Sequence, residues 1–389
     1  MTEELVPSRL TTALLTPVGR GAVATIRVEG ELSSLDRASE PLFKAANGRP
    51  LSEQLLGRIA FGTWGRSDWT AGEEVVVCRV APNALEIHCH GGDAAVRRIQ
   101  SALQQAGCEV LDWREQLEAA TDSLESEFAE KLSRATTWRT ADLLNEQASG
   151  LLRNRLEELI RSLTEAENGE TSQSTMTAAR TQLDELLSWA QFGLHLSQPW
   201  NVVLTGRPNV GKSSLINALL GYQRAIVFDQ PGTTRDVVTA ETAFDGWPVL
   251  LADTAGLRET TEELEAAGIA LARQQLNHAD ARLVLVDLSH LPTAEDQALI
   301  DEWPDAIVIG HKCDLGDRWQ TSLPTSAIRA SSVTGEGLDT LQQRLVQQLV
   351  PRVPPPGTPV PISQRQIELL ETARTKLIAL LKPGTTSQD

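Results

Sequence analysis

One glycine-rich loop constrains the fold of this chain more than any other feature. Residues 206–214 read Gly-Arg-Pro-Asn-Val-Gly-Lys-Ser-Ser, between the short apolar segment 201–205 and a helical pattern of leucine and isoleucine over 215–220. The spacing G-x-x-x-x-G-K-S lets backbone N–H groups turn inward around a phosphate, and the N-terminus of the following helix adds a positive potential. The sequence therefore predicts a strand–loop–helix unit that binds the phosphates of a nucleotide.

The side chains of this loop have distinct expected roles. Lys212 is predicted to reach the β- and γ-phosphates, where it would act in catalysis, and Ser213 is predicted to ligate Mg²⁺. The predicted nucleotide contacts of the loop are Asn209, Val210, Gly211, Lys212, Ser213 and Ser214.

A second phosphate-sensing motif follows the apolar run 249–252. It has the pattern D-x-x-G, with Asp253 and Gly256 at its ends and Thr254 and Ala255 between them. In this pattern the aspartate holds Mg²⁺ through water, and the glycine amide senses the γ-phosphate. All four residues are predicted nucleotide contacts.

The segment between the two motifs is expected to contain a switch loop and a hairpin. The pair Asp245-Gly246 has the composition of a two-residue turn and would join 237–244 to 249–252. Thr234 is predicted to reach the Mg²⁺ ion. The predicted nucleotide contacts of the switch loop are Phe228, Asp229, Gln230, Pro231, Gly232, Thr233 and Thr234.

The nucleotide base is predicted to be guanine. The stretch His-Lys-Cys-Asp at 311–314 follows the buried run 306–309 and resembles the guanine-reading element N-K-x-D. Asp314 would accept two hydrogen bonds from the guanine N1–H and N2–H₂ groups, which adenine does not offer. His311 stands where Asn is usual, so it is either an ordinary strand-end histidine or a substitute for the asparagine. The predicted base-site residues are His311, Lys312, Cys313, Asp314, Ser331 and Ser332.

Changes in composition and in the predicted secondary structure divide the chain into four parts. The predicted fold class is multidomain α/β plus helical, with a Ras-like P-loop G domain inserted after a small α+β domain and a helical domain. In the α+β part we expect strands at 22–28 and 74–80 and a helix at 94–106. The predicted divisions are 1–112 (α+β), 113–197 (first helical part), 198–350 (G domain) and 351–389 (Pro-rich linker and a C-terminal helix returning to the helical domain).

The charge balance limits the partners. The chain has 35 Lys+Arg and 52 Asp+Glu among 389 residues, a formal net charge of −17. This surplus argues against sequence-blind binding to nucleic acid or to anionic membranes. Four cysteines without a Cys-x-x-Cys pair, an acidic N-terminal stretch and no apolar run of membrane-spanning length favour a cytoplasmic protein. The segment His-Cys-His at 88–90 alternates faces if it is a strand, so a metal site there is not expected.

These motifs resemble the MnmE/TrmE family of tRNA-modification GTPases. The likeness is strongest over 206–215, 232–236 and 253–258, and it extends to the N-terminal stretch 16–27 and the His-Gly-Gly turn at 90–92. The resemblance implies a GTPase that is stimulated by K⁺ and acts in tRNA wobble-uridine modification.

The resemblance also implies how hydrolysis is catalysed. A potassium ion would supply the positive charge that an arginine finger supplies in other GTPases. Glu265 would orient the attacking water, and Leu257 occupies the position where other GTPases carry glutamine. The implied potassium ligands are Asn209, Phe228, Gln230 and Thr233.

Partners and a further cofactor follow from the same resemblance. It implies a homodimer through the N-terminal domain, pairing of G domains, an MnmG-like flavoprotein partner and formyl-tetrahydrofolate at Arg27. The segment 80–86 lacks the family's acidic turn, however, and 113–132 lacks its lysine stretch, which argues against folate binding. No cysteine follows Cys313, whereas the family closes with Cys-x-Gly-Lys. The net charge favours contact with tRNA through a protein partner.

Two other functions agree with the same motifs. One is an Era/Der-like switch in ribosome assembly, and the other is a scaffold that binds GTP with little turnover. His311 and the missing cysteine tail are the features that favour the scaffold.

Overall fold

The computed structural model describes residues 9–19, 21–37, 41–65, 72–167, 173–222, 238–253 and 273–381. The chain forms two compact units, Met1–Glu130 and Lys131–Asp389. No helix in the described ranges is both long enough and apolar enough to cross a membrane. The four-part division drawn from the sequence stays a prediction.

The first unit is built on a seven-stranded sheet. Its strands are β1 (Thr11–Leu14), β2 (Val23–Glu29), β3 (Phe43–Ala45), β4 (Ile59–Trp64), β5 (Glu73–Ala81), β6 (Ala84–His90) and β7 (Glu109–Val110). Its helices are α1 (Ser33–Asp36), α2 (Asp93–Gln105), α3 (Trp113–Ala120) and α4 (Ser123–Ser133), the last of which runs past the unit boundary. The strand order is β3-β4-β5-β6-β2-β1-β7, and only the β1–β7 pair is parallel.

The core of this unit lies between the sheet and α2. Ile99 and Leu103 of α2 are fully buried, as are Ile26 and Ile87 on the sheet. Gly107 follows α2 with a φ of 95°, a conformation that glycine adopts without strain. The strands predicted at 22–28 and 74–80 and the helix predicted at 94–106 are confirmed within one residue at each end.

The second unit contains a six-stranded sheet and most of the helices. Its strands are β8 (Trp200–Gly206), β9 (Val238–Phe244), β10 (Trp247–Asp253), β11 (Ala281–Asp287), β12 (Ile307–His311) and β13 (Ile328–Ala330). Its helices include α5 (Trp138–Glu146), α6 (Leu152–Glu167), α7 (Gln173–Leu187), α8 (Ala190–Leu194), α9 (Lys212–Tyr222), α10 (Ala294–Glu302), α11 (Leu338–Leu349) and α12 (Gln364–Leu381).

The order of these strands brings the predicted motifs to one edge. The sheet runs β13-β12-β11-β8-β10-β9, and every neighbouring pair except β10–β9 is parallel. In an open parallel sheet, ligands bind outside the carboxyl ends of the strands. Those ends are Gly206, Asp253, Asp287, His311 and Ala330.

A two-residue hairpin joins β9 to β10, as predicted. Asp245 has a φ of 49° and Gly246 a φ of 77°. Positive φ at both central residues gives a turn whose twist matches that of the flanking strands. The antiparallel register places Phe244 opposite Trp247.

The C-terminal helix packs against an earlier helix of the second unit. Helix α12 packs against α7, and Arg374 of α12 forms an ion pair with Asp184 of α7. The extended segment before α12 is held by Gln147, whose buried side-chain amide donates to the Thr358 carbonyl at 3.0 Å and accepts from the Val360 N–H at 2.9 Å. The linker is therefore anchored before the helix begins.

Candidate nucleotide-binding site

The phosphate loop has the backbone conformation that its glycines predict. It runs from the end of β8 at Gly206 to the start of α9 at Lys212. Gly206 has a φ of 151° and Gly211 a φ of 100°. A Cβ atom at Gly206 would lie 2.5 Å from the Leu285 carbonyl oxygen, and one at Gly211 would lie 2.5 Å from the His311 ring. Both glycines are therefore required by conformation and by space.

A buried ammonium group lies within this loop. The Lys212 Nζ donates to the carbonyl oxygens of Gly206 at 2.8 Å and Arg207 at 3.0 Å. These bonds hold a positive charge against the backbone of the loop. A fixed cation beside inward-turned N–H groups is the arrangement that binds a phosphate.

Two of the three residues predicted for the magnesium site, Ser213 and Asp253, meet, although forty positions separate them in the sequence. The Ser213 hydroxyl donates to Asp253 Oδ2 at 2.7 Å, and Asp253 is 1% exposed at the carboxyl end of β10. A hydroxyl as a direct ligand and a carboxylate acting through water supply the oxygen donors that Mg²⁺ prefers. The residues present therefore fit a magnesium ion.

His311 connects two loops of the site. It is 3% exposed, and its Nδ1 lies 2.7 Å from the Val210 carbonyl oxygen. Because a carbonyl only accepts, Nδ1 carries the proton, and Nε2 accepts from the Ser332 hydroxyl at 2.7 Å. Burial is the main cause of a lowered His311 pKa. His311 ends strand β12, and its ring joins the phosphate loop to the loop after β13.

Lys312 makes a second connection to the phosphate loop. Its Nζ donates to the Asn209 carbonyl at 2.8 Å and to Asp287 Oδ2 at 2.7 Å. Burial acts to raise the Asp287 pKa, but the hydrogen bonds from Lys312 and Ser289 outweigh it and leave that pKa lowered. Sequence reasoning missed Asp287. Its position at the carboxyl end of a buried parallel strand was the available signal.

The remaining base-site residues differ in exposure. Asp314 is exposed in the short turn Cys313–Leu315. Ser331 is fully buried, and its Oγ accepts from the backbone N–H groups of Val333 and Thr334 at 3.1 and 3.2 Å. Ser331 thus shapes the loop, while Asp314 is accessible to a ligand.

Several predicted site residues lie outside the described residues. They are Phe228, Asp229, Gln230, Pro231, Gly232, Thr233 and Thr234 of the switch loop, Thr254, Ala255 and Gly256 of the D-x-x-G motif, and Glu265. Their predicted roles stay predictions.

Arg27, the predicted folate contact in the first unit, is engaged by carboxylates. Its Nε donates to Glu29 Oε1 at 2.6 Å, and its Nη1 donates to Glu86 Oε1 at 3.4 Å. An anionic ligand would meet both carboxylates, so this arrangement does not fit a folate. On the same face, His88 Nδ1 lies 3.0 Å from the Thr25 hydroxyl. No cluster of three or more metal-binding side chains occurs in the part of the chain that the structure describes.

Comparisons with known proteins agree with this geometry. A family model described as 50S ribosome-binding GTPase matches residues 201–310. The tRNA modification GTPase MnmE of Synechococcus sp. (strain WH7803) is 32% identical over 364 residues, which cover 85% of this chain and 78% of that protein. MnmE of Geobacillus kaustophilus (strain HTA426) is 31% identical over 405 residues, covering 94% of this chain and 87% of that protein.

Among solved structures, Aquifex aeolicus Era bound to GDP·AlF₄⁻ matches 40% of this chain and 58% of its own, with 26% identity and a TM-score of 0.32. That score is too low to carry a conclusion about the present chain. The relatives matched along most of their length are decisive. This chain is a GTPase and belongs to the MnmE family of tRNA modification GTPases.

Proposed function

We propose that this protein hydrolyses GTP with Mg²⁺ and K⁺ and acts in tRNA wobble-uridine modification in the cytoplasm. The observation that carries the catalytic part is the 2.7 Å hydrogen bond between Ser213 and Asp253, which joins two expected magnesium ligands beside the phosphate loop. The tRNA role rests on the relatives named MnmE, which match 85 to 94% of this chain.

Residues of the phosphate loop and Asp253 supply most of the groups that would bind the triphosphate. Ser213 and Asp253 would hold Mg²⁺, which when bound neutralises charge that develops on the transferring phosphoryl group. Lys212 carries a positive charge within the loop, next to the carbonyls of Gly206 and Arg207. The loop glycines keep the backbone open to the same group. These residues bind and orient the triphosphate.

Potassium is the second cation in this proposal. Asn209 has a φ of 63°, and its carbonyl is held by Lys312, which fixes the backbone at the position expected to ligate K⁺. A cation at this point would oppose the negative charge of the transition state. Glu265 is proposed to orient the water, with Phe228, Gln230 and Thr233 as the other potassium ligands.

The outer face of the first unit's sheet supports the proposed homodimer. On β4, Ile59 is 75% exposed and Phe61 is 53% exposed. Their cross-strand neighbours on β5 are the half-buried Cys78 and Val76. A group of adjacent exposed apolar side chains is typical of a protein–protein contact. Pairing of G domains, an MnmG-like flavoprotein and indirect contact with tRNA belong to the same proposal.

The proposed domain arrangement places the G domain within a helical domain, as the division at 198–350 and 351–389 requires. The packing of α12 on α7 supports it, because it returns the chain to the helices that precede the sheet. Folate has no place in the proposal, since Arg27 is paired with Glu29 and Glu86.

GTP turnover in K⁺ and in Na⁺ tests the catalytic proposal. We expect K⁺ to accelerate turnover, and we expect Glu265→Ala to abolish that acceleration. Equal turnover in both ions, with no effect of Glu265→Ala, would exclude the potassium–glutamate mechanism. Tight GTP binding without single-turnover hydrolysis would favour the scaffold instead.

Analysis of tRNA from cells that lack the protein tests the biological role. We expect the wobble uridines to lose their modification. If they are unaltered, co-sedimentation with ribosomal subunits becomes the decisive measurement, because the family model matched at residues 201–310 is described as ribosome-binding.

A further inference from the structure

Both ring nitrogens of His311 are already engaged within the protein. Nδ1–H donates to the Val210 carbonyl, and Nε2 accepts from the Ser332 hydroxyl, each at 2.7 Å. A neutral imidazole has one donor and one acceptor, so these two bonds use its full hydrogen-bonding capacity. No polar atom of His311 remains for a purine base.

We propose that His311 is a positioning residue that fixes the phosphate loop against the loop after β13, so that guanine is recognised without a hydrogen bond to its N7 atom. This inference rests on the GTP site proposed above. The asparagine usual at this position differs chemically. Its carboxamide has two donor hydrogens and an acceptor oxygen, so it can make the same two contacts and still offer a donor to a base.

Close packing supports the positioning role. The His311 ring lies so near Gly211 that a Cβ atom there would come within 2.5 Å of ring atoms Cε1 and Nδ1. The ring therefore fills the space between the phosphate loop and the loop after β13, and it forms a hydrogen bond with each loop. In this proposal Asp314 discriminates between bases. It is exposed and lies three residues after His311 in the sequence.

Base analogues test the missing N7 contact directly. The full-length protein is titrated with GDP, with 7-deaza-GDP, which lacks the N7 acceptor, and with IDP, which lacks the 2-amino group. We expect wild type to bind GDP and 7-deaza-GDP within about twofold of each other. His311→Asn should bind 7-deaza-GDP about three- to tenfold more weakly than GDP, the loss expected for one neutral hydrogen bond.

The outcomes of this titration are separable. A threefold or larger loss for 7-deaza-GDP in wild type would overturn the proposal. Equal binding of the two nucleotides by His311→Asn would also overturn it, because the imidazole would not be what excludes the N7 contact. Absence of GDP binding, or no preference for GDP over IDP, would instead overturn the proposed guanine site.

Dissociation rates test the connection between the loops. We expect His311→Ala to release fluorescent GDP on the order of ten- to a hundredfold faster and Ser332→Ala about three- to tenfold faster, while His311→Asn restores slow release. The double variant should equal His311→Ala, because the two residues share one bond. The control is Ser326→Ala, at an exposed serine before β13.

Additive effects of His311→Ala and Ser332→Ala would overturn the positioning role. Should His311→Ala fail to fold, Ser332→Ala is compared with His311→Asn and with the control. Release from Ser332→Ala at the wild-type rate would then overturn the proposal.

Discussion

The two ends of strand β10 are held by opposite kinds of interaction. At the carboxyl end, Asp253 accepts a hydrogen bond from Ser213 beside the phosphate loop. At the amino end, the Trp247 ring lies 4.2 Å from the Arg139 guanidinium carbon and 5.5 Å from the Phe192 ring centre. The strand has seven residues, so about 20 Å separate a polar end from an aromatic one.

The difference shows how one strand serves two purposes. The carboxyl end presents carboxylate and hydroxyl oxygen atoms of the kind that bind a magnesium ion, and its bonds are directional. The amino end is buried, and its contacts link the hairpin to Arg139 of α5 and Phe192 of α8. Burial of large aromatic rings supplies stability without demanding a polar partner for each atom. We therefore expect changes at one end to affect chemistry and changes at the other to affect folding.

Trp247→Ala should give the largest effect. Trp247 lies at the amino end of β10, which is called the anchoring end below; the carboxyl end is called the chemical end. Trp247 is 2% exposed, and removal of a buried tryptophan ring costs about 3–5 kcal/mol of unfolding free energy. Urea denaturation measures this loss, and the matched control is Trp138→Ala, where the ring is 86% exposed. The control should change stability by less than about 0.5 kcal/mol. A fall in turnover of the folded protein greater than about tenfold would show that the two ends are not separate.

Ser213→Ala tests the chemical end. Loss of the hydroxyl that meets Asp253 should lower GTP turnover by about 10²- to 10³-fold, because Ser213 is a proposed ligand of the Mg²⁺ ion. The unfolding free energy should fall by less than in Trp247→Ala, by about 1–3 kcal/mol, because the buried Asp253 carboxylate loses a hydrogen bond. Steady-state phosphate release at several Mg²⁺ concentrations is the measurement. Asn217→Ala, at an exposed position of α9, is the control and should retain turnover. Wild-type activity of Ser213→Ala would contradict the assignment of the metal site.

The pH dependence of stability tests the buried ring of His311, which ends β12 at the same edge of the sheet as Asp253. Burial is the main cause that lowers the His311 pKa. The Lys312 charge also lowers it, whereas the bond to Val210 and the charges of Asp287 and Asp314 act in the opposite direction. The unfolded state therefore takes up a proton first, near pH 6.5. The unfolding free energy should fall as the pH drops from there towards the folded-state pKa, by up to about 1.4 kcal/mol per pH unit.

Urea unfolding of wild type and His311→Asn between about pH 8 and about pH 5 measures this contribution. Other titrating groups affect both proteins equally, so the difference between the two curves reports His311. We expect wild type to lose stability relative to His311→Asn as the pH falls below about pH 6.5. Parallel curves would show that His311 does not titrate differently on folding.

Near both ends of β10 the sequence predicted local backbone conformation but not long-range contacts. The phosphate loop and the hairpin turn were predictable because residues such as Gly211 and Gly246 fix local backbone conformation. The contacts of His311 were not predictable, since its partners Val210 and Ser332 lie 101 and 21 positions away in the sequence. Arg139 and Asp245 of the hairpin are 106 positions apart, so no local sequence pattern predicts their ion pair.

The first unit shows a further limit of motif matching. Arg27 matched a ligand-binding position, but strand register places Glu86 directly opposite it, and Glu29 lies two residues along the same strand. A single matched side chain carries little information about the charges that surround it. The fold was predictable from alternation and turn residues, whereas the use of Arg27 depended on cross-strand pairing.

The smallest expected effect concerns Arg139 at the anchoring end. Its Nη1 donates to the Asp245 carbonyl at 2.8 Å and to Asp245 Oδ2 at 2.7 Å, while its guanidinium lies over the Trp247 ring. Asp245 is largely exposed, so its ion pair is screened by water, and Arg139→Ala should cost about 1 kcal/mol in total. Asp245→Asn removes only the carboxylate charge and should cost less than about 0.5 kcal/mol. Urea midpoints at low salt and in about 1 M NaCl separate the two contributions, because salt screens the ion pair but not the ring contact. The deficit of Arg139→Ala should therefore persist at high salt, and its disappearance there would mean that the hairpin is held by charge instead of by packing on Trp247.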